Sequence, residues 1–182
     1  FVRAGYSFYT VDPSDHVDND AQTDAPPRLA EKVAALPWDA LDSSLADLRA
    51  RFLGSELDLG MLRLAFDEVT LYRAAAKYGR AVAHVAAMFH HLAALLGDQP
   101  FDFEVSVDET DAPTSIHEHY YIAVELRRLG VMWVSLAPRF VGRFEKGADF
   151  IGNLDELDAQ LAGHAAVMRH IGGYKLILHS GS

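Results

Sequence analysis

Apolar residues recur along this chain at two spacings. Over Phe101 to Val107 they alternate strictly: Phe101, Phe103, Val105 and Val107 share one face, and Asp102, Glu104, Ser106 and Asp108 share the other. That stretch predicts a strand. Tyr6 to Val11 is β-branched and aromatic and predicts another, stopped by Asp12-Pro13. Val131 to Leu136 is nearly all apolar, as expected for a strand buried on both faces, and Tyr174 to His179 reads as a last strand. Between these runs the spacing is helical. Pro26-Pro27 opens a helix over Arg28 to Leu36, and a second covers Leu45 to Phe52. Gly54 and Gly60 bracket a short polar link. Phe66, Val69, Ala76, Val82, Val85, Met88, Phe89 and Leu92 form the stripe of a long helix, in which Gly79 marks a kink or a close helix contact. Ser115 with Glu118 is a capping-box pattern opening a helix that ends at Gly130, with His117 and His119 in its first turn. Leu154 to Ile171 is another helix, closed by Gly172-Gly173.

Strands thus alternate with helices, which predicts an α/β fold with a parallel sheet. A closed (β/α) barrel needs eight strands. Four strands predict a TIM-barrel-like scaffold of which residues 1–182 cover about half, a partial barrel within a longer single-domain enzyme; an open doubly wound sheet is the alternative. The start, Phe1-Val-Arg-Ala-Gly-Tyr6, has neither Met nor a signal-peptide pattern and reads as an internal piece of a longer chain.

Composition narrows the function. The net charge of −10 gives no basic stripe for nucleic acid. No apolar run approaches the ~18 residues of a membrane span. With no cysteine there is no disulfide framework, thiol nucleophile or Cys-ligated zinc, which fits a cytoplasmic location. Homo-oligomerisation is left open. No glycine-rich dinucleotide fingerprint or P-loop lysine motif is present.

Candidate chemistry gathers at strand ends, where α/β folds carry it. Polar groups facing inward on a strand are costly unless paired or used. The predicted ends offer Glu104, Asp108 and Glu109; Arg139, Arg143, Glu145 and Lys146; and His179 with Ser180. Carboxylate with imidazole suits a divalent cation such as Mn, Zn, Ni or Fe, and the cations beside it suit a carboxylate or phosphate on a small substrate. Taken singly, each has a plainer reading: a satisfied structural His179, and an ion network joining Arg139 and Arg143 to Asp108, Glu109 or Asp111. The Asp12–Asp24 stretch reads as a solvated acidic loop, or as a loop over the site. Asp67, Glu68, Arg73 and Lys77 read as surface charges, with an active-site role at a helix start as the alternative, and His84, His90 and His91 as helix-surface or packing residues.

Several long motifs resemble one family. Gly5-Tyr-Ser-Phe-Tyr-Thr-Val-Asp-Pro13, Asp67-Glu-Val-Thr70 with Lys77-Tyr-Gly-Arg80, Glu104-Val-Ser-Val-Asp-Glu-Thr-Asp111, Val134-Ser-Leu-Ala-Pro-Arg-Phe-Val-Gly-Arg-Phe-Glu-Lys-Gly147 and Leu178-His-Ser-Gly-Ser182 are similar to the tagaturonate epimerase family of bacterial hexuronate catabolism. The resemblance implies a divalent-metal enzyme that interconverts tagaturonate and fructuronate, keto-hexuronate sugar acids. It also implies an upstream strand that supplies an Asp-His pair. On that footing Glu104 is the candidate catalytic acid/base, His179 and the weaker Glu145 are metal ligands, and Asp108, Glu109, Arg139, Arg143, Lys146 and Ser180 bind substrate. The centre to be inverted lies one carbon beyond the carbon α to the ketone, so simple enolisation does not exchange its hydrogen. Retro-aldol cleavage and re-addition would invert it, and transient oxidation is the other route. Two rival readings remain: a metal-dependent sugar-acid aldolase or lyase, and a non-catalytic sugar-binding domain.

Overall fold

The computed structural model describes residues 1–60 and 62–179. In chain order its elements are strand β1 (Phe8–Val11), helices α1 (Pro26–Ala34) and α2 (Leu45–Phe52), strands β2 (Glu56–Asp58) and β3 (Arg63–Ala65), helix α3 (Glu68–Leu96), strand β4 (Asp102–Val107), helix α4 (Ile116–Arg128), strand β5 (Ser135–Pro138), helix α5 (Leu154–Ile171) and strand β6 (Lys175–Leu176). Short 3-10 turns, Ser14–His16 and Asn19–Gln22, give the acidic loop after β1 its shape.

The main sheet has the order β1-β4-β5-β6 and all its pairings are parallel. Register aligns Thr10, Glu104 and Ser135 across it, so their side chains share a face. The opposite face is apolar. Phe103, Val105, Val107 and Leu136 sit in one core with Tyr78, Val82, Val85 and Phe89 of α3 and Tyr121, Ile122 and Leu126 of α4. This is a mixed α/β fold built on a parallel sheet. No helix among the described residues is long and apolar enough to cross a membrane.

Helix starts follow local chemistry. The Asp67 carboxylate accepts the Thr70 N–H at 2.7 Å to open α3. Ser115 and Glu118 form the reciprocal capping box of α4. Gly79 marks a close contact: a Cβ there would lie 2.8 Å from Leu36 Cδ2.

Four expectations need correction. The glycine-bracketed link holds strand β2, which pairs antiparallel with β3 just past Gly60; their alternation over Glu56–Asp58 and Arg63–Ala65 is too short to stand out in sequence. The strand expected over Val131–Leu136 begins at Ser135. Val131 and Trp133 are buried, but Met132 is 74% and Val134 37% exposed. On α3, Val69 and Met88 face outward from the expected stripe. Lys77 is not a surface charge. Its Nζ has no exposed surface and lies 3.2 Å from Glu118 Oε1 and 3.1 Å from Gln22 Oε1. A buried ammonium is tolerated there because both partners are supplied.

Candidate active site

β4 carries the polar residues of the open face, and its neighbours supply their partners. Thr10 Oγ of β1 donates to Glu104 Oε1 at 3.1 Å, and Ser135 Oγ of β5 donates to Oε2 at 2.5 Å. Glu104 is 6% exposed, so these two hydroxyls offset much of the cost of burying a carboxylate and fix its orientation. Two residues on, Ser106 Oγ donates to Asp108 Oδ1.

His179, just past β6, closes the group. Its Nε2 is 3.4 Å from Glu104 Oε1, and its Nδ1 is 3.3 Å from both Asp108 Oδ2 and Ser106 Oγ. Backbone pairing of the Ile177 N–H to the Leu136 carbonyl, 3.0 Å, carries the chain to this point. The imidazole is therefore gripped between two carboxylates that β4 presents on one face.

The loop after β5 forms the far wall. Thr114 and Arg139 pair reciprocally: the Thr114 N–H donates to the Arg139 carbonyl at 2.8 Å, and the Arg139 N–H to Thr114 Oγ1 at 3.0 Å. Arg139 Nη1 reaches the Asp108 carbonyl at 3.4 Å. A short antiparallel bridge joins Arg143 to Ile151, and Gly142, just before Arg143, sits at φ +79°, packed against the Phe150 ring. Asp108, Arg139, Arg143, Phe144, Leu178 and His179 line one cleft. Across the mouth, Asn19 of the acidic loop accepts the Asp111 N–H at 3.1 Å.

Of the residues singled out from sequence, Glu104 and Asp108 each touch His179, and Arg139 and Arg143 share the cleft that Asp108 and His179 line. Glu109, Glu145 and Lys146 are exposed on the flanking loops and do not line it. Ser180 lies outside the described residues. Thr10 and Ser135 were missed. Ser135 is the one polar residue inside an apolar run, and that exception is its signal in the sequence.

The donor pair fits a divalent cation. Two ligands each about 2.0–2.1 Å from a tetrahedral ion stand roughly 3.4 Å apart. His179 Nε2 and Glu104 Oε1 have that separation. Among the described residues no three or more His, Asp or Glu are grouped to hold a metal, so these two would be part of a ligand set.

A model of the tagaturonate epimerase family matches residues 1–182. The chain belongs to the tagaturonate epimerase family. Among relatives, the tagaturonate/fructuronate epimerase of Thermotoga maritima is 39% identical over 181 residues, which take in 100% of this chain and 36% of the relative. The native crystal structure of fructuronate-tagaturonate epimerase from Cohnella laeviribosi is similar with a TM-score of 0.87 at 34% identity, over 100% of this chain and 36% of that one. Its complex with one glycerol gives 0.88 at 32% identity. The chain spans about a third of the length of these relatives.

Proposed function

We propose that the protein to which this chain contributes is a metal-dependent epimerase of the cytoplasm that interconverts tagaturonate and fructuronate. The observation that carries the reading is the convergence of Glu104, Asp108 and His179 on the open face of the sheet, beside a cleft lined by Arg139 and Arg143. Family membership gives the chemistry its substrate class. The sequential order of four parallel strands, with one face packed by helices and the other polar at its C-terminal ends, supports a half of a (β/α) barrel completed by the remainder of the longer protein.

In this reading His179 Nε2, with Glu104 beside it, would hold a divalent Mn, Zn, Ni or Fe ion, and Glu145 would join only if its loop moved inward. Such an ion, when bound, supplies Lewis-acid stabilisation of negative charge on the substrate oxygens. The guanidinium groups of Arg139 and Arg143 bind the substrate carboxylate and set its direction in the cleft. Glu104 takes the proton from the hydroxyl on the carbon to be inverted. The bond between that carbon and the one α to the ketone breaks, leaving an aldehyde and an enediolate. The aldehyde turns its other face, the bond re-forms, and Glu104 returns the proton to the same oxygen. Atoms and electrons balance with no external oxidant.

The test is made on the full-length protein: tagaturonate is supplied, fructuronate is measured, and bound metal is quantified in the same preparation. Fructuronate formation with metal bound supports the reading. Release of free three-carbon products in place of fructuronate would point to an aldolase, and binding without turnover to a sugar-binding domain.

A further inference from the structure

We infer that Ser106 and Asp108 fix the tautomer of His179, placing its proton on Nδ1 and leaving Nε2 bare toward Glu104. This deepens the reading of His179 as a metal ligand and rests on it. The argument is one of proton counting. A serine hydroxyl has one hydrogen, and Ser106 gives it to Asp108 Oδ1. Toward His179 Nδ1, 3.3 Å away, the Ser106 oxygen has only lone pairs left to offer. The second neighbour of Nδ1 is Asp108 Oδ2, also at 3.3 Å, and a carboxylate oxygen accepts. Both groups at Nδ1 are therefore acceptors, whereas Nε2 faces one, Glu104 Oε1, which already accepts the Thr10 hydroxyl; a single ring proton is held at Nδ1.

The other side of the ring follows. In the neutral imidazole Nε2 then carries a lone pair, and it faces Glu104 Oε1 across 3.4 Å. Two electron-rich atoms oppose one another there, an arrangement that a cation between them relieves. The outer carboxylate that holds a ligating imidazole by its far N–H recurs at metal sites, where it fixes ring orientation and raises basicity. Here one stretch supplies both parts, since Ser106 in β4 and Asp108 just past its end alternate on the same side and are 4% and 8% exposed. Asp108 becomes a positioning residue acting through His179, and Ser106 positions Asp108.

The full-length protein, stripped of metal, is titrated calorimetrically with Zn²⁺ alone and separately with Mn²⁺ alone. Ser106→Ala should weaken binding roughly 10–100-fold, the usual effect of losing such an outer partner. Ser106→Thr keeps the hydroxyl and should recover most of that loss. Asp108→Asn presents an amide N–H to Nδ1, so the ring proton should move to Nε2 and affinity fall further. Long-range ¹H–¹⁵N spectra of the metal-free, histidine-labelled protein, recorded at a pH high enough for the ring to be neutral, read the tautomer directly: Nε2 unprotonated in the wild type, protonated in Asp108→Asn. A purely structural role for these residues would lower thermal stability without exchanging the two nitrogen signals. The inference is overturned if the wild-type ring carries its proton on Nε2, or if Ser106→Ala and Asp108→Asn bind both ions with wild-type affinity. His179→Ala separates the two levels: wild-type Zn²⁺ affinity there removes the ligand reading itself, while the nitrogen signals still decide the tautomer.

Discussion

Lys77 shows what one side chain does at depth. Its ammonium meets Glu118 and Gln22 with no solvent contact, and Glu118 also accepts the Ser115 N–H at 2.7 Å. Lys77→Met leaves the Glu118 charge buried without its partner, and chemical denaturation of the full-length protein should show a loss of about 3–5 kcal/mol. Adding Glu118→Gln, which keeps the cap and removes the charge, should recover part of it. A second buried group lies behind the sheet. His119 Nδ1 is 2.9 Å from His164 Nδ1, and Tyr174 Oη is 2.7 Å from His119 Nε2. Burial pushes His164 down to about 4, and burial with the nearby His164 pushes His119 well below the usual histidine range. Both are depressed, so the unfolded chain binds more protons wherever pH lies between the folded and unfolded values. Stability should be full above about 6.5 and should fall as pH drops from there toward 4. Replacing His164 with Leu should flatten that part of the pH–melting curve.

Elements differ in how legible they were. α2 and α5 have the bounds that their apolar spacing and, for α5, Gly172 suggest; the Ser44 and Asn153 caps that open them are seen in the structure. The capping box of α4 was readable because its two residues carry the whole signal; Ser115→Ala should cost about 1 kcal/mol in a thermal or chemical melt. β5 was placed four residues early because Val131 to Val134 are apolar, and composition alone does not tell a strand from the segment leading into it. The hairpin β2–β3 has too few residues to announce a period. The loop after β5 showed its charges but not its shape, which depends on Gly142. A Cβ there would lie 2.7 Å from the Ile151 carbonyl oxygen, at a positive φ that L side chains resist. Gly142→Ala should displace Arg139 and Arg143 together, raising KM for the sugar acid several-fold while shifting the melting temperature little, since the loop lies outside the core. Steady-state kinetics beside a melting curve checks it.

At the scale of the molecule, the parallel sheet was legible because strands and helices alternate, and strand ends mark where chemistry collects. The alternation over Phe101–Val107 put Glu104 and Asp108 on one face correctly, since a pleat allows no other phase once Phe103 and Val105 are in the core. What sequence could not give was the partner set, because Thr10 and Ser135 come from two other strands and meet Glu104 only through register, while His179 arrives from the chain just past β6. The same limit holds for Glu145 and Lys146, whose charges in sequence said nothing about whether their loop reaches the cleft. The central claim is that this assembled face performs epimerisation through the Glu104 carboxylate. Its most direct test is the rate of fructuronate formation from tagaturonate by full-length Glu104→Gln, measured per folded molecule and beside its bound metal. The account predicts turnover lower by roughly 10²–10⁴ in whatever fraction keeps its metal. Turnover equal to wild type would contradict it.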